Sequence, residues 1–459
     1  MESERPLRLT AGAWELEFER TTGWVRCIRL GGVEVVRAVY ANVRDENWRT
    51  LAQRITHCHV SQGEGAFEAD WTAELDSLAF AWNGHLSGSD DRITVEWTGT
   101  AKQEFETRRT GMCVLHPMEL KGQPCTVIHG DGKSEGCSFP TSIEPHQPFF
   151  DVRQIRHKAG DAEVLVSFEG EVFEMEDQRN WTDVSFKTYC RPQAWPQPYQ
   201  LQEGDLVRHS VTLVYQGVAT APQVQCYTTL TKSDQEVQLP LIGTLAHQKP
   251  DEFDFVLDSD DVADWTATGF GRVYAVSGQF VELNRNRPDM GEWDGVAYQA
   301  SPQVHAFDDR SVMENTYGLA ETVKTAKLIA QGKPVCVGPV RLRRTNLGRD
   351  PRLDMPLGPA WLVATIVSAA RGGADAICIS EADDFRGPLA EAMQVFAGRG
   401  RLTLLQSDMP YRCLGFINSV GQTVLVNLRP FATSVRYEGE VELEPYEIRV
   451  SGGSALEDS

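Results

Sequence analysis

Gln238-Leu239-Pro240-Leu241-Ile242-Gly243-Thr244-Leu245-Ala246 marks the point at which the chain changes its hydrophobic period. On its N-terminal side, apolar and polar residues alternate in short runs: Trp14–Phe18, Thr94–Trp97, Val164–Phe168 and His209–Tyr215. Turn signals such as Gly31-Gly32, Asn83-Gly84, Gly130-Asp131-Gly132 and Glu203-Gly204 separate them. Short strands with glycine-rich turns from Leu7 to about Tyr227, with no convincing amphipathic helix, predict a large β-sandwich. On the C-terminal side, the apolar strands Phe253–Leu257, Arg272–Val276, Gly295–Gln299, Pro334–Val340 and Ala376–Ser380 alternate with helical patterns at Ser311–Gln331, Leu357–Arg371 and Phe385–Ala397. That alternation predicts a (β/α) TIM-barrel-like domain. Counting the opening strand gives six strands, and a closed barrel needs eight. The barrel is therefore expected to be incomplete, with the deficit between Ala246 and Asp251.

Strands return from about Leu402: Cys413–Ile417, Gln422–Leu428, Ser434–Tyr437 and Glu447–Val450. The expected layout is multidomain α+β. An N-terminal β-sandwich occupies residues 1–236, the barrel-like domain 237–403, and a small C-terminal β domain 404–459, ending in a polar tail.

A chain of 459 residues exceeds one hydrophobic core. Its net charge of −21 argues against nucleic acid and anionic membranes as partners. No run of about 18 apolar residues occurs, and no apolar stretch follows the charged start, so a soluble cytoplasmic protein is expected. Ten cysteines without a C-x-x-C pair fit reduced thiols. His57-Cys58-His59 is the one local His/Cys cluster; lacking a third ligand in range, it gives no metal expectation, and no cofactor is expected. Oligomeric state is not legible. Gly132-Lys133-Ser134-Glu135-Gly136 matches G-x-S-x-G but sits in an all-β region without a following helix, so it is not read as a nucleophile elbow. His116 and His146 each neighbour a proline and are read as core or turn histidines.

The densest polar run is Glu174-Met175-Glu176-Asp177-Gln178-Arg179-Asn180-Trp181-Thr182-Asp183. It reads as a loop between strands at Val172-Phe173 and Val184–Phe186. Lacking Gly and Pro but holding Met175 and Trp181, it suits fixed charges facing a sugar-like ligand as well as it suits a salt-bridged structural loop. A barrel places its chemistry at the C-terminal ends of its strands. Those ends carry Glu282, Asn284 and Arg285; then His305, Asp308 and Arg310; then Arg341–Asn346; and last Glu381. Asp309 or Ser311 also suits a helix N-cap.

Together, Phe173–Asp183 with Ser185–Tyr189, Phe280–Pro288 and Ser301–Ser311 resemble the bacterial D-apionate lactonases (D-apionolactone hydrolases) of apiose catabolism. Arg109–Pro117 and Leu425–Leu428 fit the same pattern. The resemblance implies a β-sandwich, a TIM barrel and a small C-terminal β domain in that order. It also implies a longer chain in other members, the shortfall here falling on the second and third βα units. The implied partner is a small sugar lactone. Lactone opening needs a positioned water, a base and donors for the oxyanion. No credible Ser/His/Asp arrangement is visible, so residue type and placement put His305 or Glu282 as base, with Asp308 beside them. Arg179, Asn284 and Arg310 are the expected carbonyl donors; Glu176, Asp177 and Asp183 the hydroxyl ligands; Asn180, Trp181 and Arg285 complete the substrate site. A glycoside hydrolase using Glu282 and Glu381, or a non-catalytic binder of sugar acids, are the alternatives.

Overall fold

The computed structural model describes residues 5–77, 79–221, 227–245, 253–257, 265–343, 348–380, 387–396 and 398–452. The chain divides into two compact units: residues 1–177 with 185–224, and residues 178–184 with 225–459.

The first unit is built on one sheet of sixteen strands, whose path runs from Leu7–Ala11 through Val33–Arg44, Arg109–Pro117 and Ser185–Cys190 to Gln53–Gln62. Its period-two strands bury alternate residues: Trp14, Leu16 and Phe18 on one, Phe67, Ala69, Trp71, Ala73 and Leu75 on another. The sheet folds over on itself, so that Phe18 from one end packs on Trp71 from the other at 5.3 Å between ring centroids. Each phenylalanine buried in this way, such as Phe18, Phe80 or Phe168, contributes about 2–3 kcal/mol of transfer free energy.

The polar run read as one loop is resolved into three parts. Phe173–Asp177 is a strand that pairs antiparallel with Ser185–Cys190, Gln178–Trp181 is a 3-10 turn, and residues 182–184 lead back. Glu174 and Glu176 are thus strand residues, because Phe173, Met175 and Asp177 bury the opposite face. Glu176 lies 3.8 Å from Lys187, and Asp177 accepts a hydrogen bond from the Glu144 backbone N–H at 3.1 Å. Gly132–Gly136 falls in the hairpin joining Pro124–His129 to Ser134–Ser138.

Glu171, Cys190 and His209 bring their ligand atoms within 4.8 Å of one another. The Met112 backbone N–H donates to His209 Nδ1 at 3.2 Å, which puts the ring proton on Nε2, facing Glu171 at 3.7 Å. With Nδ1 accepting from the backbone and Nε2 protonated, that tautomer offers a metal no free ring nitrogen.

His116 is a core histidine, fully buried with Nε2 2.9 Å from Thr188 Oγ1. Burial, aided by neighbouring His157, pulls its pKa from 6.5 down to about 3. The unfolded chain therefore takes up this proton first. The stability contribution is complete above about pH 6.5 and is lost as pH falls toward 3, at about 1.4 kcal/mol per pH unit. Denaturant unfolding at pH 7.5 and 4.5 checks this: His116→Gln flattens the pH dependence, and equal slopes for both proteins would overturn it.

The second unit holds six parallel strands, at Leu241–Leu245, Phe255–Leu257, Val273–Gln279, Gly295–Ala300, Val335–Val340 and Ala376–Ile379. All six coincide with strands read from the sequence. The sheet order is second, first, sixth, fifth, fourth, third. The first and last strands pair, as they do in a closed barrel, and among the described residues the sheet stays open between the second and third. The expected deficit at Ala246–Asp251 lies outside the described residues.

Helix α1 (Phe280–Arg285) follows the third strand where a loop was expected. The single helix expected over Ser311–Gln331 is α2 (Asp309–Asn315), a 3-10 turn at Thr316–Gly318 and α3 (Leu319–Ile329). Helix α4 spans Leu357–Gly372 and α5 Pro388–Met393. A seven-stranded sheet completes the unit, with strand Tyr227–Gln238 between Thr433–Arg436 and Arg401–Ser407. The boundaries expected at residues 236 and 403 fall inside two of these paired strands. Among the described residues no helix is long and apolar enough to cross a membrane.

Candidate active site

Within the second unit, the turn 178–184 packs on the C-terminal ends of the third and fourth barrel strands. Thr182 holds a left-handed backbone (φ 67°), unusual for a β-branched residue. Its hydroxyl donates to the carbonyls of Trp181 (2.6 Å) and Ser301 (3.1 Å), which ties the turn to the loop after the fourth strand. The next residue, Asp183, presents Oδ2 to His305 Nδ1 at 2.5 Å. Its other oxygen accepts from Asn315 Nδ2 at 2.8 Å, and the same amide donates to the Pro302 carbonyl at 3.0 Å. Trp181 stands edge-on to the His305 ring at 5.7 Å. A carboxylate on Nδ1 fixes the tautomer, so Nε2 carries the lone pair.

The loop bearing His305 is held from below. Gln303 donates to Asp350 at 2.8 Å and to the Leu342 carbonyl. Arg352 forks onto Asp350 at 2.9 and 2.7 Å, and also reaches Asp309 (3.0 Å) and the Phe307 carbonyl (3.1 Å). Burial pushes the Asp350 carboxyl up, but the hydrogen bonds from Arg352 outweigh it and hold the pKa below the usual carboxylate value.

On the other side, Asn284 of α1 donates to Asn180 Oδ1 at 3.0 Å and accepts from Arg287 at 2.7 Å. Arg179 is fully buried 3.7 Å from Glu321. Glu282 is half-buried on the first turn of α1, and its carboxylate makes no hydrogen bond or ion pair among the described residues.

The structure therefore brings together Arg179, Asn180, Trp181, Asp183, Asn284 and His305. Arg310 is buried and paired with Glu314 at 3.0 Å, so its guanidinium braces α2. Arg285 is exposed at the end of α1. Asp308 is the N-cap of α2, accepting from Ser311 N at 3.0 Å. A cap explains Asp308 without chemistry, and two substitutions separate the readings. Asp308→Ala should cost about 1 kcal/mol of stability, whereas Asp308→Asn, which still caps, should keep stability and turnover. A severe loss of turnover in Asp308→Asn would restore it to the chemistry. Glu176 and Asp177 belong to the first unit, and Glu381 lies outside the described residues. Asn315, Gln303, Asp350 and Arg352 were not singled out. Their amide and charge roles are tertiary, and Asn315 reads in the sequence as one more helical position.

A parallel barrel-type sheet with an aspartate-held histidine at its strand ends defines the class: a (β/α) barrel-type protein. Residues 1–218 match the D-apionate lactonase N-terminal domain, and residues 275–348 match the D-apionate lactonase TIM barrel domain. The chain belongs to the D-apionate lactonase family. It is similar to a D-apionate lactonase of Brucella anthropi, 26% identical over 537 residues, with 88% of this chain and 86% of that protein covered. That alignment is longer than the 459 residues here, so the relative carries segments this chain lacks. Among solved structures, an alpha-galactosidase from Geobacillus stearothermophilus is similar at 9% identity, with 97% of this chain and 99% of that chain covered and a TM-score of 0.34. A galactose mutarotase-like protein from Clostridium acetobutylicum covers 48% of this chain and 97% of its own, at 10% identity and a TM-score of 0.31. Scores this low transfer neither fold nor function.

Proposed function

We propose that this protein hydrolyses D-apionolactone to D-apionate, with His305 as general base and Asp183 as the residue that orients it. Family membership supports the lactonase class. The observation that carries the mechanism is the 2.5 Å contact between Asp183 and His305 Nδ1, with Asn315 fixing the second carboxylate oxygen. His305 Nε2 takes a proton from water as the water oxygen bonds to the lactone carbonyl carbon. The carbonyl oxygen becomes an oxyanion beside the Asn180–Asn284 amide pair. Collapse breaks the ring C–O bond, and the proton returns from His305 to the departing ring oxygen, leaving a hydroxy acid. Glu282 accepts hydrogen bonds from substrate hydroxyls, and Trp181 packs beside the histidine. Arg179 and Arg310, each engaged by a glutamate, support the frame.

The test is a pH-stat assay of the purified chain on D-apionolactone, with aryl glycosides as the control substrates. Acid release from the lactone with no sugar release from the glycosides is the expected result. Glycoside cleavage without lactone opening would reverse the assignment in favour of the carboxylate-pair reaction.

A further inference from the structure

The sandwich sheet has a second face, opposite its apolar core, and strand register shows what that face carries. Tyr40, Asn42 and Arg44 pair across to Cys113, Gly111 and Arg109. Cys113 and Leu115 pair with Tyr189 and Lys187, which in turn pair with Glu174 and Glu176. Alternation sends all of these side chains to one side. Arg44 and Arg109 are thus directly opposed like charges, an arrangement that destabilises a bare sheet.

Arg44, Arg109 and Lys187 are all buried. Among the described residues, Nε and Nη2 of both arginines, and Nζ of Lys187, have no hydrogen-bond partner. The one carboxylate among the described residues within ion-pair range of any of them is Glu176, 3.8 Å from Lys187 and itself part-exposed. Glu174 is committed elsewhere, accepting from Tyr189 Oη and the Gln193 N–H, both at 2.7 Å. Three basic side chains thus share this buried face with Glu174 and Glu176, and several of their N–H donors lack an acceptor among the described residues, which costs free energy. Aromatic faces border it: Arg109 lies 3.7 Å over Tyr189, and Trp24 stacks on Tyr40 at 3.9 Å.

We propose that this face of the sandwich binds the carboxylate of a small polyhydroxy acid, the anion displacing the Glu176 carboxylate from Lys187. The two guanidinium groups suit a planar carboxylate, and the rings suit a hydroxylated carbon chain. The lactone itself is neutral and its hydrolysis product is this kind of anion, so the choice of ligand, though not the site, rests on the hydrolysis reading above.

Calorimetric titration of the full chain with sodium D-gluconate tests it, with sodium phosphate and erythritol as comparison ligands. Saturable binding of gluconate alone is expected, weakened about tenfold or more in Lys187→Met and in Arg109→Met. Glu176→Gln acts in the opposite direction: removing the internal competitor tightens gluconate binding about threefold or more. Because that variant gains affinity, misfolding cannot imitate the result. Gluconate binding retained by Lys187→Met, no binding by wild type and Glu176→Gln, or phosphate preferred over gluconate, each overturns the proposal. Failure of lactone turnover with these binding results intact would instead strike the hydrolysis reading.

Discussion

His305→Ala lowers kcat for lactone opening by about a thousandfold, within the range of a lost general base, and leaves the melting temperature close to wild type. Asp183→Asn keeps a side chain of the same shape in the same place but replaces an anion with an amide. It no longer stabilises the imidazolium formed as water is deprotonated, nor does it select the Nε2 lone-pair tautomer. Its loss in kcat should approach that of His305→Ala, and the double variant should be little worse than either single one, because residues acting as a unit are not additive. Asn315→Ala, which frees one carboxylate oxygen of Asp183, should lose less. Rates measured across pH 5–9 give the readout. Near-wild-type turnover in both His305→Ala and Glu282→Gln would remove both bases read from this chain. Normal turnover in His305→Ala with a collapse in Glu282→Gln would move the base to α1.

Gly318→Ala should cost about a hundredfold in kcat with the fold intact, the scale expected for a displacement of about 1 Å at a catalytic contact. Gly318 has ordinary helical angles (φ −65°, ψ −25°), so alanine is acceptable to its backbone. What it cannot accept is the neighbour. A Cβ at this position would lie 2.1 Å from the Thr182 carbonyl oxygen, 3.0 Å from its carbon and 3.3 Å from the Asp183 carbonyl oxygen. All three are backbone atoms, so no rotamer change relieves the contact, and the turn carrying Asp183 must retreat from His305. The expected signature is a fall in kcat larger than the rise in KM, with helix content and melting temperature little changed. Wild-type kcat in Gly318→Ala would show that the turn can shift without consequence, and would separate Asp183 from the chemistry.

The substitutions that matter most thus fall on residues the sequence exposed unequally. His305 was legible only through its place: charged and polar residues are common in βα loops, and it is their coincidence at neighbouring strand ends that singles it out. Asp183 stood out as one of four carboxylates in ten residues, yet its neighbours Glu174 and Glu176 point to the sandwich face, while Asp183 points to a barrel loop more than a hundred residues away in sequence. Nothing in the local pattern separates them. Asp308 reads as a catalytic carboxylate for the same reason that it makes a good cap: a short carboxylate just before a helix. Gly318 gave no signal at all, since a glycine in a helical stretch reads as a weak point and not as clearance for another segment.

What the sequence determined by itself was the period of each segment. Side-chain alternation is a local property of the backbone, so two-residue and helical repeats, and all six barrel strands, could be read without knowing what they pack against. The tertiary structure alone decided pairing and charge balance. It split one acidic run between two units, paired the first barrel strand with the last while leaving an open edge among the described residues, and set three basic side chains on one face of a sheet. Those outcomes depend on distances between residues far apart in the chain, where Coulomb and hydrogen-bond energies change over a few ångströms and no local pattern records them.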